Sequence, residues 1–221
     1  MDVRDDTGVL VLGAGGHGKS VLGILLTLGR RVVGLLDDAQ GTWGRRVLGV
    51  PVLGPLDALR EHPACDVAHG LGDNRLRREL VERFPAARWL TVIDPGARVD
   101  PSARVGAGTS VFFGAFLGPD AVAGAHAIVS VHSMVGHDAV LGDFVQVAPG
   151  VQVGGGARIE AEAMLGLGSA VCPGVRIGAR CTLGAGAVAL HDLPEDCLAV
   201  GVPARPRPAS LPEPSSAAPA R

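Results

Sequence analysis

The sequence predicts a small α/β domain followed by a parallel β-helix. The first part of the chain alternates short apolar runs with helix-like segments, which is typical of a doubly wound α/β unit. From Ile93 onward, an aliphatic residue instead recurs at every sixth position. The composition agrees with this second pattern, because 33 glycines and only 3% aromatic residues favour tight, repeated turns over a helical or sandwich core.

The elements of the α/β unit can be assigned from composition, apolar runs and helix end signals. In chain order they are a buried strand at 8–13, a helix at 19–28, a strand at 30–38, a short helix at 55–61, a strand at 66–71 and an amphipathic helix at 75–84. A Pro/Gly-containing connection separates the second strand from the short helix. We therefore expect a sheet of parallel strands with helices between them.

The six-residue period holds over sixteen consecutive steps without an insertion. Each unit has an aliphatic residue, usually a glycine after it, and a small or β-branched residue four positions on. One such unit forms one side of a triangular coil, so three units close a turn of about 18 residues and successive turns stack as parallel β-ladders. The aliphatic positions are Ile93, Val99, Val105, Val111, Leu117, Ala123, Val129, Val135, Leu141, Val147, Val153, Ile159, Leu165, Val171, Ile177 and Leu183.

These two patterns define the expected domain organisation. Residues 1–90 form a Rossmann-like domain, and residues 91–190 form the β-helix, which is expected to end near Val188. Residues 191–206 form a C-terminal extension. The Pro/Ala/Ser-rich stretch 207–221 is expected to be a disordered tail.

Charge, cysteines and hydropathy exclude several classes of function. The formal net charge of −2 gives no broad basic surface for nucleic acid. The longest apolar stretch, 21–28, is too short to span a bilayer, and the N-terminus carries no signal-peptide pattern. The four cysteines form no CxxC pair and are expected to be free thiols. We therefore expect a soluble, cytoplasmic protein that neither binds nucleic acid nor inserts into a membrane.

A glycine-rich loop connects the first strand to the first helix. Gly13, Gly15 and Gly18 match the GxGxxG pattern, and Asp37 follows about 20 residues later. This arrangement lets a phosphate approach backbone N–H groups at a helix N-terminus, as in dinucleotide-binding proteins. The pattern alone leaves open a dinucleotide, another phosphate ligand or a purely structural turn, although the chain offers no second α/β half for hydride transfer.

The β-helix carries one His-Asp pair, His137-Asp138, at a corner of the repeat. The repeat requires neither residue. In an 18-residue coil, Gly155 stacks directly on His137 and lies within a run of three glycines. An imidazole below a corner without a side chain lets a ligand come close to the backbone, and the Gly155 N–H could meet an oxyanion there. The pattern alone leaves open a solvated corner histidine and a general base that Asp138 makes stronger.

Taken together, the hexapeptide repeat and four short motifs resemble one family. The motifs are GAGGHGK (13–19), LGDNRLR (71–77), GHD (136–138) and GVPAR (201–205). The resemblance covers roughly residues 8–206 and is to left-handed β-helix acetyltransferases with an N-terminal Rossmann-like domain, which include N-acetyltransferases of nucleotide-linked amino sugars and sialic acid O-acetyltransferases. It implies a left-handed helix, acetyl-CoA as co-substrate, no metal, and a homotrimer with active sites between subunits.

The resemblance also implies roles for individual residues. The family uses a His-acid pair at the matching step of the β-helix, so we predict that His137 is the general base, strengthened by Asp138, and that an acetyl thioester lies beside it. The glycine loop would hold the diphosphate of a nucleotide-sugar, with a side-chain contact from His17, while two aspartates after the second strand face the base or ribose. The implied substrate residues are Gly13, Gly15, Gly16, His17, Asp37, Asp38, Asp73 and Asn74, and the implied acetyl-CoA contacts are Gln146, Gly155, Leu167 and Ala185. Two departures concern the cofactor contacts, since Gln146 is histidine in some relatives and Glu160 replaces a corner glycine.

Other functions remain open at this stage. The acceptor group could be a hydroxyl instead of an amine, and a β-helix of this kind can also serve as a non-catalytic binding or assembly module. The spacing of His132 and His137 is similar to that in γ-class carbonic anhydrases, which bind zinc at a subunit interface. A catalytic zinc site needs three protein ligands, and no third histidine lies at a comparable distance upstream. We therefore predict no metal.

Overall fold

The structure is a computed structural model and describes residues 7–207. The predicted tail therefore lies outside the described residues, apart from Arg207. The N-terminal part is a six-stranded sheet with strand order β3-β4-β2-β1-β5-β6. Its elements are β1 (Val9–Leu12), α1 (Gly16–Thr27), β2 (Val32–Leu36), β3 (Arg46–Val47), β4 (Val50–Gly54), β5 (Asp66–His69), α2 (Asn74–Arg83) and β6 (Arg88–Trp89), with short 3₁₀ helices at Gln40–Thr42 and Leu56–Glu61.

The expected parallel sheet is present, with three differences from the sequence-based assignment. The first is the unpredicted strand β6, which pairs in parallel with β5 at one edge. Strand β1 lies between β2 and β5 and is parallel to both. Helix α1 begins at Gly16, three residues earlier than predicted, because the second half of the glycine loop already has helical backbone. The Pro/Gly-containing connection contains an unpredicted antiparallel hairpin, β3–β4, which adds an edge to the sheet. Its strands are short, so the period-two pattern was too brief to detect.

The second part is the predicted β-helix, in which every third strand belongs to the same face. Three faces, one per sheet, enclose its interior. Face 1 consists of Val92–Ile93, Ser110–Val111, Ile128–Val129, Gln146–Val147, Met164–Leu165, Thr182–Leu183 and Leu198–Val200, with Arg205–Arg207 antiparallel at its end. Face 2 consists of Arg98–Val99, Phe116–Leu117, Met134–Val135, Gln152–Val153, Ala170–Val171 and Val188–Ala189. Face 3 consists of Arg104–Val105, Val122–Ala123, Val140–Leu141, Arg158–Ile159 and Arg176–Ile177.

The register confirms an 18-residue coil. Met134 pairs with Gln152 and Val140 with Arg158, each 18 positions apart. The aliphatic and small positions of the repeat fill the interior as one continuous buried cluster. Beyond Val188, where the sequence indicated an end, the stack continues, because Leu198 pairs in parallel with Thr182. This last coil is shorter by two residues, so a strict six-residue count does not detect it.

The α/β domain packs on face 1 of the β-helix. Side chains of β1 and α1, including Val9 and Val21, share one buried cluster with Val92 and Ile128 of face 1 and with Phe112 at its edge. Burial of this aliphatic surface holds the two parts together. In a triangular cross-section, the corner between faces 2 and 3 is therefore the one farthest from the α/β domain.

Candidate functional site

The His137-Asp138 pair lies at the corner between faces 2 and 3. His137 Nδ1 and Asp138 Oδ2 are 2.7 Å apart, and both side chains are open to solvent, at 70% and 66% exposure. If Nδ1–H donates to the carboxylate, Nε2 is left as a proton acceptor. Asp138 has a left-handed backbone (φ 59°), which is uncommon for a residue other than glycine. The carboxylate is thus held beside the ring at the expense of local backbone strain.

The predicted glycine shelf is present above the imidazole. Gly156 N donates to His137 O over 2.8 Å, which places the two residues on successive coils. A Cβ added to Gly155 would lie 2.5 Å from His137 Nε2, so the ring occupies the space that any side chain at 155 would need. Among the sixteen units, Gly155 is the only glycine at this corner position, where the others carry a side chain. Within residues 7–207, no hydrogen bond is formed by the Gly155 N–H.

The glycine loop forms the N-terminus of α1. Gly15 and Gly16 are exposed, and a Cβ on either would meet no atom within 4 Å, so a ligand can reach their backbone N–H groups. Gly18 is required for a different reason, because a Cβ there would collide with the carbonyl oxygen of Gly13. This division of roles, with open glycines at the helix start and a packing glycine inside, is typical of phosphate-binding loops.

Asp37 and Asp38 line a cavity of about 370 Å³ beside the loop, together with Gly13, Leu76 and Glu79. Both carboxylates also accept hydrogen bonds from the backbone that surrounds this cavity. Asp37 accepts hydrogen bonds from Ala14 N (2.7 Å) and Ala39 N (2.8 Å). Asp38 accepts one from Leu56 N (2.9 Å). The structure therefore brings these two residues and the loop together, as predicted, with much of their hydrogen-bonding capacity already used by the backbone.

His17, which was predicted as a phosphate contact, is largely enclosed by the fold. Its ring lies beneath the loop, with its centroid 5.5 Å from that of Phe112, and Nε2 is buried without a partner among the described residues. Burial, and secondarily the charge of Arg77, lowers the pKa of His17 to about 4. The imidazole is therefore neutral near pH 7 and turned away from the exposed side of the loop.

Asp73 and Asn74, which were predicted as substrate contacts, form hydrogen bonds within the fold. The Asp73 carboxylate caps α2 by accepting from Leu76 N over 2.9 Å. The Asn74 side chain donates to the carbonyl oxygens of Glu162 (2.9 Å) and Ala163 (3.3 Å) at a β-helix corner. The LGDN segment consequently joins α2 to the β-helix, an interaction that only the packing of the two domains creates.

Arg77 is an important residue that sequence analysis missed. It is fully buried, and its guanidinium donates to four oxygens, those of Gly72 O (2.7 Å), Asn74 Oδ1 (2.9 Å), His126 O (3.1 Å) and Phe144 O (2.9 Å). No carboxylate forms an ion pair with it among residues 7–207. Burial lowers the pKa of Arg77 to about 10, partly offset by the charge of Asp73, so it remains a cation at neutral pH.

The sequence does contain a pattern that indicates the burial of Arg77. The spacing of residues 77, 80 and 84 places Arg77 on the apolar face of α2, with Leu80 and Phe84, both of which are buried. Next to it, His69 Nε2 and His126 Nδ1 are 2.9 Å apart across the domain interface. Burial lowers the pKa of both rings, and the charge of Arg77 adds to this effect, so the interface contains one cation surrounded by neutral histidines.

The four predicted acetyl-CoA contacts do not meet within one chain. Gly155 lies at the corner between faces 2 and 3, above His137. Leu167 and Ala185 lie on successive coils at the corner between faces 1 and 2, and Leu167 is 58% exposed. Gln146 lies on face 1 and lines a cavity of about 340 Å³ with Asp73 and Asn74. Glu160, the second noted departure, is ion-paired with Arg176 at 2.6 Å and is not part of these positions.

Two further classes of site were sought among residues 7–207. No group of three or more His, Cys, Asp or Glu side chains there is arranged to hold a metal ion. His132 and His137 occupy different corners of the same coil, so they do not form one site within a chain. In the same part of the chain, neither helix is long and apolar enough to cross a membrane.

Comparison with known proteins agrees with the fold. Residues 8–84 match the PglD N-terminal domain. A mutant form of perosamine N-acetyltransferase from Caulobacter crescentus, in complex with CoA and GDP-perosamine, is 38% identical with a TM-score of 0.86, covering 90% of this chain and 96% of that one. The acetyltransferase domain of PglB from Neisseria gonorrhoeae, in complex with acetyl coenzyme A, is 33% identical with a TM-score of 0.85, covering 91% and 100%.

A curated relative matches a smaller region. "Uncharacterized protein L142" of Acanthamoeba polyphaga mimivirus is 28% identical over 103 residues, which are 47% of this chain and 21% of that protein's length.

The chain combines a hexapeptide β-helix and a corner histidine under a glycine shelf with relatives such as perosamine N-acetyltransferase and the PglB acetyltransferase domain. Together, these features define an acyltransferase. The chain belongs to the left-handed β-helix acetyltransferases that carry an N-terminal PglD-type domain.

Proposed function

We propose that this protein transfers the acetyl group of acetyl-CoA to the amino group of a nucleotide-linked amino sugar. The observation that carries the proposal is the His137 ring, held by Asp138 and facing a coil corner that lacks a side chain. Perosamine N-acetyltransferase, whose complex contains CoA and GDP-perosamine, supports this choice of donor and acceptor. The open glycine loop beside the aspartate-lined cavity supports a nucleotide-linked acceptor.

The geometry suits a direct transfer. The sugar amine attacks the thioester carbonyl carbon, so a C–N bond forms and the C–S bond breaks. His137 Nε2 accepts the proton from the nitrogen, while Nδ1–H remains bonded to Asp138. The Gly155 N–H, which forms no hydrogen bond within residues 7–207, stabilises the oxyanion of the tetrahedral intermediate in this proposal. CoA leaves as a thiolate, which can take up the proton from His137, and the other product is an acetamido sugar.

The acceptor and the base come from different copies of the chain in this proposal. The glycine loop belongs to the domain on face 1, whereas His137 lies at the opposite corner, 70% exposed. The loop of one chain therefore cannot face its own His137. A neighbouring β-helix would bring its loop to that corner and enclose the acetyl-CoA contacts that one chain leaves apart, as the proposed homotrimer requires.

Replacing Gly155 by alanine is expected to lower kcat by roughly 10- to 100-fold with little change in Tm. The new Cβ would displace the imidazole and cover the oxyanion position, and a misplaced general base loses rate on this scale. The backbone itself tolerates a side chain, because the same position carries one in the other units. Steady-state kinetics and thermal unfolding check this, with Ala161→Val, at the next exposed corner, as the matched control.

Acetyl transfer to a defined panel of acceptors tests the function itself. UDP-, GDP- and dTDP-linked 4-amino sugars are incubated with acetyl-CoA, and release of CoA thiol is measured together with the product mass. We expect turnover of at least one amino sugar and none of its hydroxyl counterpart. Transfer to the hydroxyl sugar instead would indicate an O-acetyltransferase, and no acetyl transfer to any member would disprove the proposal.

A further inference from the structure

One corner of the β-helix holds a histidine in a position that otherwise contains glycine. At the corner between faces 1 and 2, five residues on successive coils have a left-handed backbone, namely Gly114, His132, Gly150, Gly168 and Gly186. His132 has φ 53° and is the only one of the five with a side chain. A left-handed backbone is unfavourable for a residue with a Cβ, so His132 is retained here against a local conformational preference.

Contacts within the fold do not explain this histidine. His132 is exposed, and its ring forms no hydrogen bond within residues 7–207. The ring lies over Gly114 of the preceding coil and meets Phe113 edge-on, with centroids 5.4 Å apart. Phe113 is itself 55% exposed, so the two side chains form a small aromatic surface facing solvent.

At another corner of the β-helix, residues with a left-handed backbone and a side chain have contacts that explain why they are there. Between faces 3 and 1, His126, Phe144 and Glu162 are also left-handed. The His126 ring contacts His69, the carbonyl of Phe144 accepts from Arg77, and Glu162 is ion-paired with Arg78 at 3.2 Å. Each of these residues docks the α/β domain, whereas the His132 ring forms no hydrogen bond or ion pair with that domain within residues 7–207.

The position of His132 points to the ligand of the glycine loop. The residues that immediately precede the aromatic pair, Phe112 and Val131, pack in one cluster with Ala14 of the loop. His17, two residues after Gly15, also lies against Phe112. The exposed His132–Phe113 surface is therefore fixed beside the loop of its own chain, on the β-helix side.

We propose that His132 donates a hydrogen bond to the diphosphate of the nucleotide-sugar held at the glycine loop of the same subunit, with Phe113 packing against the attached sugar. This role rests on the proposed function. His132 and the loop are fixed relative to each other within one subunit. The subunit that brings the acceptor to a neighbour's His137 therefore also brings its own His132 to that site. His132 is thus a binding residue for the acceptor and makes no contact with the acetyl donor.

Substitution of His132 by glycine tests the role, because binding and stability should change in opposite directions. Titration calorimetry with UDP, GDP and dTDP first identifies the diphosphate that the wild-type protein binds most tightly. For H132G, the Kd of that diphosphate is expected to rise roughly 10-fold, the loss of one hydrogen bond to a charged group. Its Tm should equal or exceed that of the wild type, since glycine relieves the strained backbone.

Two further variants act as controls. His132→Asn retains a donor and tolerates a left-handed backbone, so its Kd is expected to lie between those of the wild type and H132G. Leu48→Gly relieves an equivalent strain (φ 46°) in the β3–β4 turn, outside the corners of the β-helix, and its Kd should equal that of the wild type. In kinetics, H132G should raise KM for the nucleotide-sugar and leave KM for acetyl-CoA unchanged.

The results that would overturn the role of His132 differ from those that would overturn the proposed function. If the wild-type protein binds none of the three diphosphates, the nucleotide-linked acceptor is wrong and the role of His132 falls with it. If the wild type binds one and H132G binds it equally tightly, only the role of His132 is overturned. A clear fall in the Tm of H132G, or a raised KM for acetyl-CoA alone, would likewise assign this residue to the fold or to the donor site.

Discussion

Replacing His137 by alanine is expected to lower kcat by roughly 10²- to 10⁴-fold, the usual contribution of a general base. KM for acetyl-CoA should change little, because the imidazole acts on the acceptor amine and not on the nucleotide part of CoA. The fold should be unaffected, since the side chain is 70% exposed and its only hydrogen bond within residues 7–207 is to Asp138. The matched control is His191→Ala, another exposed histidine. Activity of the H137A protein equal to that of the control would contradict the assignment.

The same variant can establish that the base and the loop act between subunits. Gly16→Asp places a carboxylate at the N-terminus of α1, which repels a diphosphate, while the open space around Gly16 lets the helix form. H137A and G16D proteins should each be inactive alone. When the two chains are co-expressed, mixed assemblies contain sites with an intact His137 and an intact loop, so we expect activity well above either parent. Mixed assemblies as inactive as the parents would place both parts of the site in one chain.

Replacing Arg77 by methionine is expected to reduce the free energy of unfolding by about 3–5 kcal/mol. Methionine has a comparable length, but it leaves Gly72 O, His126 O and Phe144 O without the donor they share, around a side chain that is fully buried. Each unpaired buried acceptor costs about 1–3 kcal/mol. Loss of the buried cation itself offsets part of this cost, since its desolvation is also unfavourable.

Chemical denaturation monitored by circular dichroism measures the effect of R77M. Arg75→Met is the matched control, because Arg75 lies on the same helix with 71% of its side chain exposed, and its exposed ion pair with Glu79 contributes little. A stability of R77M within about 1 kcal/mol of the R75M protein would contradict the view that Arg77 joins the domains. Loss of the α/β domain's ordered docking should also weaken nucleotide binding, because α2 lines the cavity beside the glycine loop.

Much of this architecture could be predicted from the sequence because its determinants are local. An inward aliphatic residue at every sixth position is a property of consecutive residues, and it fixed the coil length and the pairing of each strand. That same arithmetic predicts that Gly155 stacks on His137. Where the period changes, as in the shortened last coil, and where strands are too brief to show alternation, as in the β3–β4 hairpin, local patterns were insufficient.

The predicted substrate residues show what local sequence patterns do not determine. Gly13, Gly15, Gly16, Asp37 and Asp38 lie together beside one cavity, because the ends of neighbouring parallel strands meet at one edge of the sheet. His17, Asp73 and Asn74 are equally close to that edge in sequence terms, yet their side chains face the β-helix or cap a helix. Their roles depend on how the second domain packs against the first, and no sequence period encodes that contact.

The sequence by itself therefore determined the two-part fold, the 18-residue coil, the His-Asp pair and its glycine shelf, since each follows from the spacing of residues along the chain. Only the tertiary structure decided which side chains near the loop face solvent, that Arg77 is a buried cation joining the domains, and that His132 keeps a strained backbone beside the loop. It also put His137 at the corner opposite the face on which the α/β domain packs. The physical reason is that burial and facing direction arise from contacts between segments distant in sequence, which a repeat or motif does not specify.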